Sequence, residues 1–205
     1  MEDFHSQISD SDSVLIVADD LNSFDKASAA LGLFLHLKER GKTVEIYLSN
    51  GLRDEVKELF EQYEVSPISE IRGGNYTISV DYGSTGIEKV IWDKDEEAKK
   101  LIFQIVPGTG EFSFDNVQFE DGGKTYDLVV GLVVSNFQDL GEVYEKSEAV
   151  FKESNTVSIA REKGKGVDMF IEVDTDGSFS ESVYKLLKSQ EDGMEKEVVE
   201  ILLNG

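Results

Sequence analysis

Three stretches of the chain carry side chains that could do chemistry. The first is the polar loop after the apolar run Val14–Val17, where Asp19, Asp20, Asn22 and Ser23 separate a strand-like segment from a helix-like one. Loops at strand carboxyl ends are where α/β proteins bind ligands. The second runs from Glu172 to Glu181, EVDTDGSFSE, with acids at alternate positions before Gly177. A calcium loop of this kind needs a bidentate Glu at its twelfth position, where Val183 stands, and the preceding MFIEV reads as a strand, not a helix. The stretch is therefore read as a strand-to-helix turn capped by Asp176 or Ser178. The third is Gly164-Lys165-Gly166, which with Arg161 and Lys163 forms the one local basic cluster. It resembles a fragment of a phosphate loop but lacks the first glycine and the Ser/Thr. A solvated loop is the plainer reading and a residual anion site the sharper one.

Other chemistries are poorly supplied. The two histidines, His5 and His36, are read as ordinary surface residues, so acid/base work by a histidine pair is not expected. There is no cysteine, which removes disulfides, thiolate metal ligands and cysteine nucleophiles. No Gly-x-Ser-x-Gly elbow, paired zinc ligands or dinucleotide-binding glycine pattern occurs. The net charge of −22, from 42 acidic and 20 basic residues, repels long nucleic acid. With 40% apolar residues, the 205-residue chain can still build a proper core. No apolar run is long enough to span a bilayer and the acidic N-terminus is unlike a signal peptide, so no membrane association and a cytoplasmic location are expected.

The elements that must position these residues follow from periodicity. Val14–Val17 reads as a strand buried on both faces. Asn22 or Ser23 would cap the next helix, whose stripes Ala27, Leu31, Phe34, Leu35 and Ala30, Leu33, Leu37 imply that it is mostly buried. Gly41 ends it, and Val44, Ile46 and Leu48 alternate out of a second strand. Residues 2–9 suggest a leading helix, and Leu52 to Tyr63 an amphipathic one. From Gly73 the period changes to two: Tyr76, Ile78, Val80 and Tyr82 alternate with polar residues. Ile87–Trp92 and Leu101–Ile105 follow as strands, so residues 73–123 are expected to be an antiparallel β-meander inserted in the domain. Tyr76, Tyr82 and Trp92 alternate correctly for a face packed on the body of the domain. The buried style returns at Tyr126–Val134. A helix then places Phe137, Leu140, Tyr144 and Phe151 on one face. Strands at Thr156–Ile159 and Met169–Val173 and two amphipathic helices, Phe179–Leu187 and Met194–Leu202, complete the order. The fold class is α/β, a mostly parallel sheet flanked by helices, in one domain of residues 1–205.

Four stretches carry a resemblance to a known family. They are VLIVADDLNSFDKASAALGLFLHLKERGKTVEIYLSN, YDLVVGLVVSNFQDLGEVYEKSEAVF, NTVSIAREKGKGVDMFIEVDTDGSFSESVYKLLK and EKEVVEILLNG. In pattern and spacing the chain resembles the N-terminal domain of the DHH phosphoesterase superfamily, in its oligoribonuclease and phosphoadenosine-phosphate phosphatase branch. The resemblance covers essentially the whole chain, including the β insertion some members have. Asp127, Leu140, Gly141, Ser178, Glu181 and Tyr184 match its scaffold positions.

The resemblance implies two divalent metals, usually manganese, held by carboxylates and imidazoles. Its ligand positions fall here on Ala18, Asn22 and Phe24, on Val133, and on Ala160, Arg161 and Glu162. No ligand position that can be matched keeps its usual ligand, and Val, Phe and Ala supply no donor. Ser28, Lys163 and Lys165 are the residues left for residual anion contacts. The expectation is a catalytically inactive domain, with no cofactor, that acts as a binding or assembly module. The alternative is a Mn2+- or Mg2+-dependent phosphoesterase acting on short oligonucleotides or phosphorylated nucleotides, with ligands drawn from Asp19, Asp20, Asp25, Glu162 and Asp174. The resemblance further implies continuation into a strand after Gly205, so the expected partners are another protein, a second copy, or a C-terminal domain.

Overall fold

The computed structural model describes residues 2–19, 21–73, 76–82, 86–108, 117–120, 125–188 and 193–205. The chain divides into two compact units, Met1–Gly74 with Gly123–Gly205, and Asn75–Gly122. In chain order, the first unit opens with α1 (Glu2–Asp10), β1 (Ser13–Ala18), α2 (Phe24–Glu39), β2 (Thr43–Leu48) and α3 (Asp54–Gln62). The second holds β3 (Thr77–Val80), β4 (Ile87–Asp95), β5 (Lys100–Pro107) and β6 (Val117–Glu120). The first resumes with β7 (Leu128–Leu132), a 3-10 turn (Phe137–Leu140), α4 (Glu142–Lys146) and α5 (Glu148–Glu153). It closes with β8 (Asn155–Ala160), β9 (Met169–Glu172), α6 (Phe179–Lys188) and α7 (Lys196–Asn204).

The first unit is built on a five-stranded, all-parallel sheet in the order β2-β1-β7-β8-β9. From Val14 to Ala18 every residue of β1 is buried, as its unbroken aliphatic run requires. Val14, Ile16 and Ala18 face a core shared with Ala27, Leu31, Val183, Leu187 and Leu202 of α2, α6 and α7. Each such Val, Leu or Ile stabilises the fold by about 1.5–3 kcal/mol through removal from water. Leu15 and Val17 face the other side, with Val129, Phe137 and Phe151. Gly32 lets α2 and α7 approach closely, since a Cβ there would meet Leu202 Cδ2 at 2.5 Å.

Side chains fix the strand entries. Asp127 accepts from the backbone N–H groups of Asp12 and Ser13, both at 2.8 Å, and from Ser13 Oγ at 3.0 Å. These bonds hold its carboxyl below the ordinary range and tie the start of β7 to the start of β1. At the other end of the sequence, Asp168 accepts from Thr156 N and Oγ1, aligning β9 with β8.

Several expectations need correction. The helix anticipated after β7 is broken into a 3-10 turn and two short helices. Gly141, at φ +59°, takes a backbone conformation that no helix continues through. The ring contacts survive the break: Phe137 and Tyr144 lie 5.1 and 5.2 Å from Phe151, centroid to centroid. His36 is buried, not a surface residue, and its Nε2 accepts from Arg40 Nε at 2.9 Å.

The second unit is antiparallel, but it is not a meander. β4 pairs with β5 and β3 pairs with β6, so one ribbon is nested within the other in sequence. Val117–Glu120 gives no alternation signal strong enough to have been read as a strand. Tyr76, Tyr82 and Trp92 are exposed and not packed. Alternation fixes which side chains share a face of a strand; it does not supply a second layer to cover them.

Candidate functional site

With β2 on one side of β1 and β7 on the other, the strand order reverses at the carboxyl ends of β1 and β7. In open α/β sheets this is where a crevice opens. Ala18 ends β1, Val133 follows β7, and Ala160 ends β8, with Arg161 and Glu162 just beyond. A pocket of about 340 Å³ lies here, lined by Ser23, Asp25, Lys26, Val133, Ser135, Ala160, Arg161, Glu162 and Phe179. Four of the positions picked out from sequence, Val133, Ala160, Arg161 and Glu162, thus share one pocket. Asn22 and Phe24 are exposed at the entry to α2, and Ala18 is buried.

Each wall has a local cause. Ser23 caps α2, its Oγ accepting from Lys26 N at 3.3 Å. Residues 161–168 join the parallel strands β8 and β9 without a helix, and they are pressed against the exit of β7. A Cβ on Gly164 would lie 1.8 Å from the Ser135 carbonyl oxygen, so only glycine fits. Val133 sits at φ +65°, a left-handed conformation that is an outlier for a β-branched residue. Its N–H donates to the Ile159 carbonyl at 3.0 Å, which ties the β7 exit to β8.

The carboxylates are otherwise engaged. Asp25 accepts from Ser178 Oγ at 2.6 Å, Ser180 N at 2.8 Å and Phe179 N at 3.0 Å. It therefore caps α6 from across the fold, while Ser178 caps the same helix internally through Glu181 N at 3.0 Å. Burial pushes the Asp25 carboxyl up, but the bonds from Ser178, Ser180 and Phe179 outweigh it and hold it below the ordinary range. A general base works best with a pKa near the operating pH, and this carboxylate is tuned the other way. Asp19 accepts from Ser49 Oγ and, at 2.7 Å, from Asn50 Nδ2, which turns it toward the residues after β2. Asp174 is exposed after β9, and Asp20 lies outside the described residues.

Among the described residues no group of three or more His, Asp or Glu side chains could hold a metal ion. The described side chains thus do not assemble a dinuclear centre. Val133 and Ala160 offer no donor, and Asp25 and Asp19 already serve backbone and side-chain donors. Arg161 donates to the Gly177 carbonyl at 3.0 Å and lies over the Phe179 ring, 5.5 Å from its centroid.

The three anion contacts anticipated from sequence do not converge. Ser28 is fully buried beside Ser180 and Gly205, so it does not reach the pocket. Lys165 lines a different cavity, of about 350 Å³, with Lys152, Thr156 and Asp168. Lys163 is exposed. Phe179, Ser135 and the capping role of Asp25 were not legible beforehand. Asp25 and α6 are some 150 positions apart, and no spacing rule links them.

No protein-family model matches the chain, and no curated protein sequence matches it significantly. Among solved structures it is similar to the crystal structure of an exopolyphosphatase-related protein from Bacteroides fragilis, with a TM-score of 0.56 and 15% sequence identity. The match covers 100% of this chain and 48% of that one, so the chain spans about half the length of its neighbour. At this identity the likeness is one of fold: an all-parallel α/β sheet flanked by helices.

Proposed function

We propose that the chain is a DHH-phosphoesterase-like domain without a working metal centre, and that it serves as a binding or assembly module. The observation that carries this reading is the pocket at the β1/β7 crevice. The positions that resemble metal ligands gather there as Val133, Ala160 and Arg161, with Asp25 committed to capping α6. Two dications would need several free carboxylates for neutralisation, and a guanidinium in their place adds like charge. The neighbouring exopolyphosphatase-related structure supports the phosphoesterase-like architecture. The emptied site supports a role that does not pass through turnover.

The test pairs a thermal-shift titration with Mn2+ and Mg2+ and an assay on bis(p-nitrophenyl) phosphate and a short oligoribonucleotide. A ligand that binds only the folded state must raise the melting temperature in a saturable way. The expected result is no saturable rise and no metal-dependent product. A saturable rise together with hydrolysis that is lost in Asp19→Ala or Asp25→Ala would replace this reading with the metal-dependent phosphoesterase.

A further inference from the structure

Of the thirteen large hydrophobic side chains exposed among the described residues, eleven lie in the second unit, Asn75–Gly122. Their arrangement is regular. In the β4–β5 ribbon the pairs Val90–Ile105, Trp92–Phe103 and Lys94–Leu101 alternate with Ile91–Gln104 and Asp93–Ile102. Successive pairs point to opposite faces, so Val90, Ile105, Trp92, Phe103 and Leu101 form one continuous apolar stripe. Trp92 is 68% exposed, Leu101 58%, Val90 55% and Phe103 49%. The β3–β6 ribbon repeats the pattern: Ile78–Phe119 and Val80–Val117 share one face, and Ser79–Gln118 takes the other.

We infer that these ribbons are a self-association surface, and that the occupant of the apolar stripe is a second copy of this chain. The inference names the partner of the assembly module proposed above and uses none of the pocket residues. A two-stranded ribbon has too little layer of its own to be stable with its apolar face in water, so cover is required. The charge pattern suits the same surface on both sides. Five acids against four bases leave residues 86–108 near neutrality in a chain of −22. Two copies therefore meet here without the like-charge repulsion that the rest of the chain carries.

The area is adequate. Given the exposures of Trp92 and Phe103, the two rings bring roughly 200–300 Å² per copy. With Val90 and Leu101 this rises to roughly 300–450 Å² per copy. With a polar rim of ordinary proportion, two copies bury on the order of 1,000–1,400 Å², the lower end of stable interfaces.

Trp92 is the only tryptophan in the chain, so its emission reads this surface directly. Sedimentation of the full chain should show a dimer that dissociates on dilution, with Trp92 emission moving to the red over the same range. Phe103→Glu should keep the far-UV signal and melting cooperativity of the parent but remain monomeric, with red emission at every concentration. Because Phe103 is exposed, loss of folding is not the expected failure; Leu101→Glu gives an independent second reading. A monomer at all concentrations, a dimer that survives both substitutions, or burial of Trp92 only on added lipid vesicles would overturn the inference. None of these results touches the metal test, and metal-dependent turnover would leave the dimer standing.

Discussion

Replacing Asp25 by Ala separates the two roles this carboxylate could have. As a cap it serves two backbone N–H groups at the start of α6 and the Ser178 hydroxyl. Losing a cap costs about 0.5–2 kcal/mol, and bonds to a charged acceptor are individually worth about 1.5–3 kcal/mol. These do not add. Water reaches part of the site, and Ser178 still caps Glu181. The net loss is expected to be about 2–4 kcal/mol, which for a chain of this size lowers Tm by roughly 5–15 °C. The effect must also depend on pH. The folded pKa of Asp25 is lowered from its ordinary 3.8, so its contribution is complete above the unfolded value and disappears as pH falls through the folded one. The gap in Tm between wild type and variant should therefore be full at neutral pH and narrow in acid, as pH falls from the ordinary 3.8 through the lower folded value. Asp25→Asn, which keeps one acceptor and loses the charge, should fall between the two. Metal-free thermal melts over a pH series measure all of this. If Asp25→Ala melts like the wild type without metal and its only defect is a lost response to Mn2+, Asp25 is a ligand and the capping argument is wrong.

Other consequences of the geometry can be checked by the same melts. Gly164→Ala places a Cβ in the Ser135 carbonyl, which backbone movement must relieve; a loss of at least about 3 kcal/mol is expected, against about 1–2 kcal/mol for Gly166→Ala, where the positive φ is the cost. Val133→Gly removes a side chain but also releases a β-branched residue from φ +65°. It should stay within about 1 kcal/mol of wild type, whereas Val134→Ala, in the buried core of the same exit, should cost about 1.5–3 kcal/mol.

The parallel sheet was legible because residues buried on both faces must be apolar without interruption, as Val14–Val17 and Leu128–Leu132 are. The capping at Ser23 and Ser178 was legible because a cap is a local event, set by residues three positions apart. What escaped was non-local or depended on cover. The Asp25–α6 contact joins segments that only the closed sheet brings together. His36 sits in a helix whose other residues already implied burial, yet its ring needed Arg40 as a donor to be accommodated there. The ribbon aromatics alternate as a packed face would, yet Tyr76, Tyr82 and Trp92 are exposed, because alternation carries no information on cover.

The crevice at the ends of β1, β7 and β8 holds its shape without gathered carboxylates. Carboxylates gathered within a few ångströms repel one another and raise each other's pKa unless a cation is bound, so an acidic site destabilises its own metal-free state. In a chain of net charge −22 that penalty adds to a general excess of negative charge. Val133 and Ala160 remove it at the ends of β7 and β8. Arg161 reverses it, anchored on the Gly177 carbonyl and the Phe179 ring. Asp25 escapes it by giving its charge to the amino end of α6, where the helix dipole and three donors favour it. The backbone at Val133 keeps the left-handed turn that an Asp or Asn would tolerate best, held by its bond to Ile159 and by the sheet it leaves. The crevice is thus defined by strand order and loop packing.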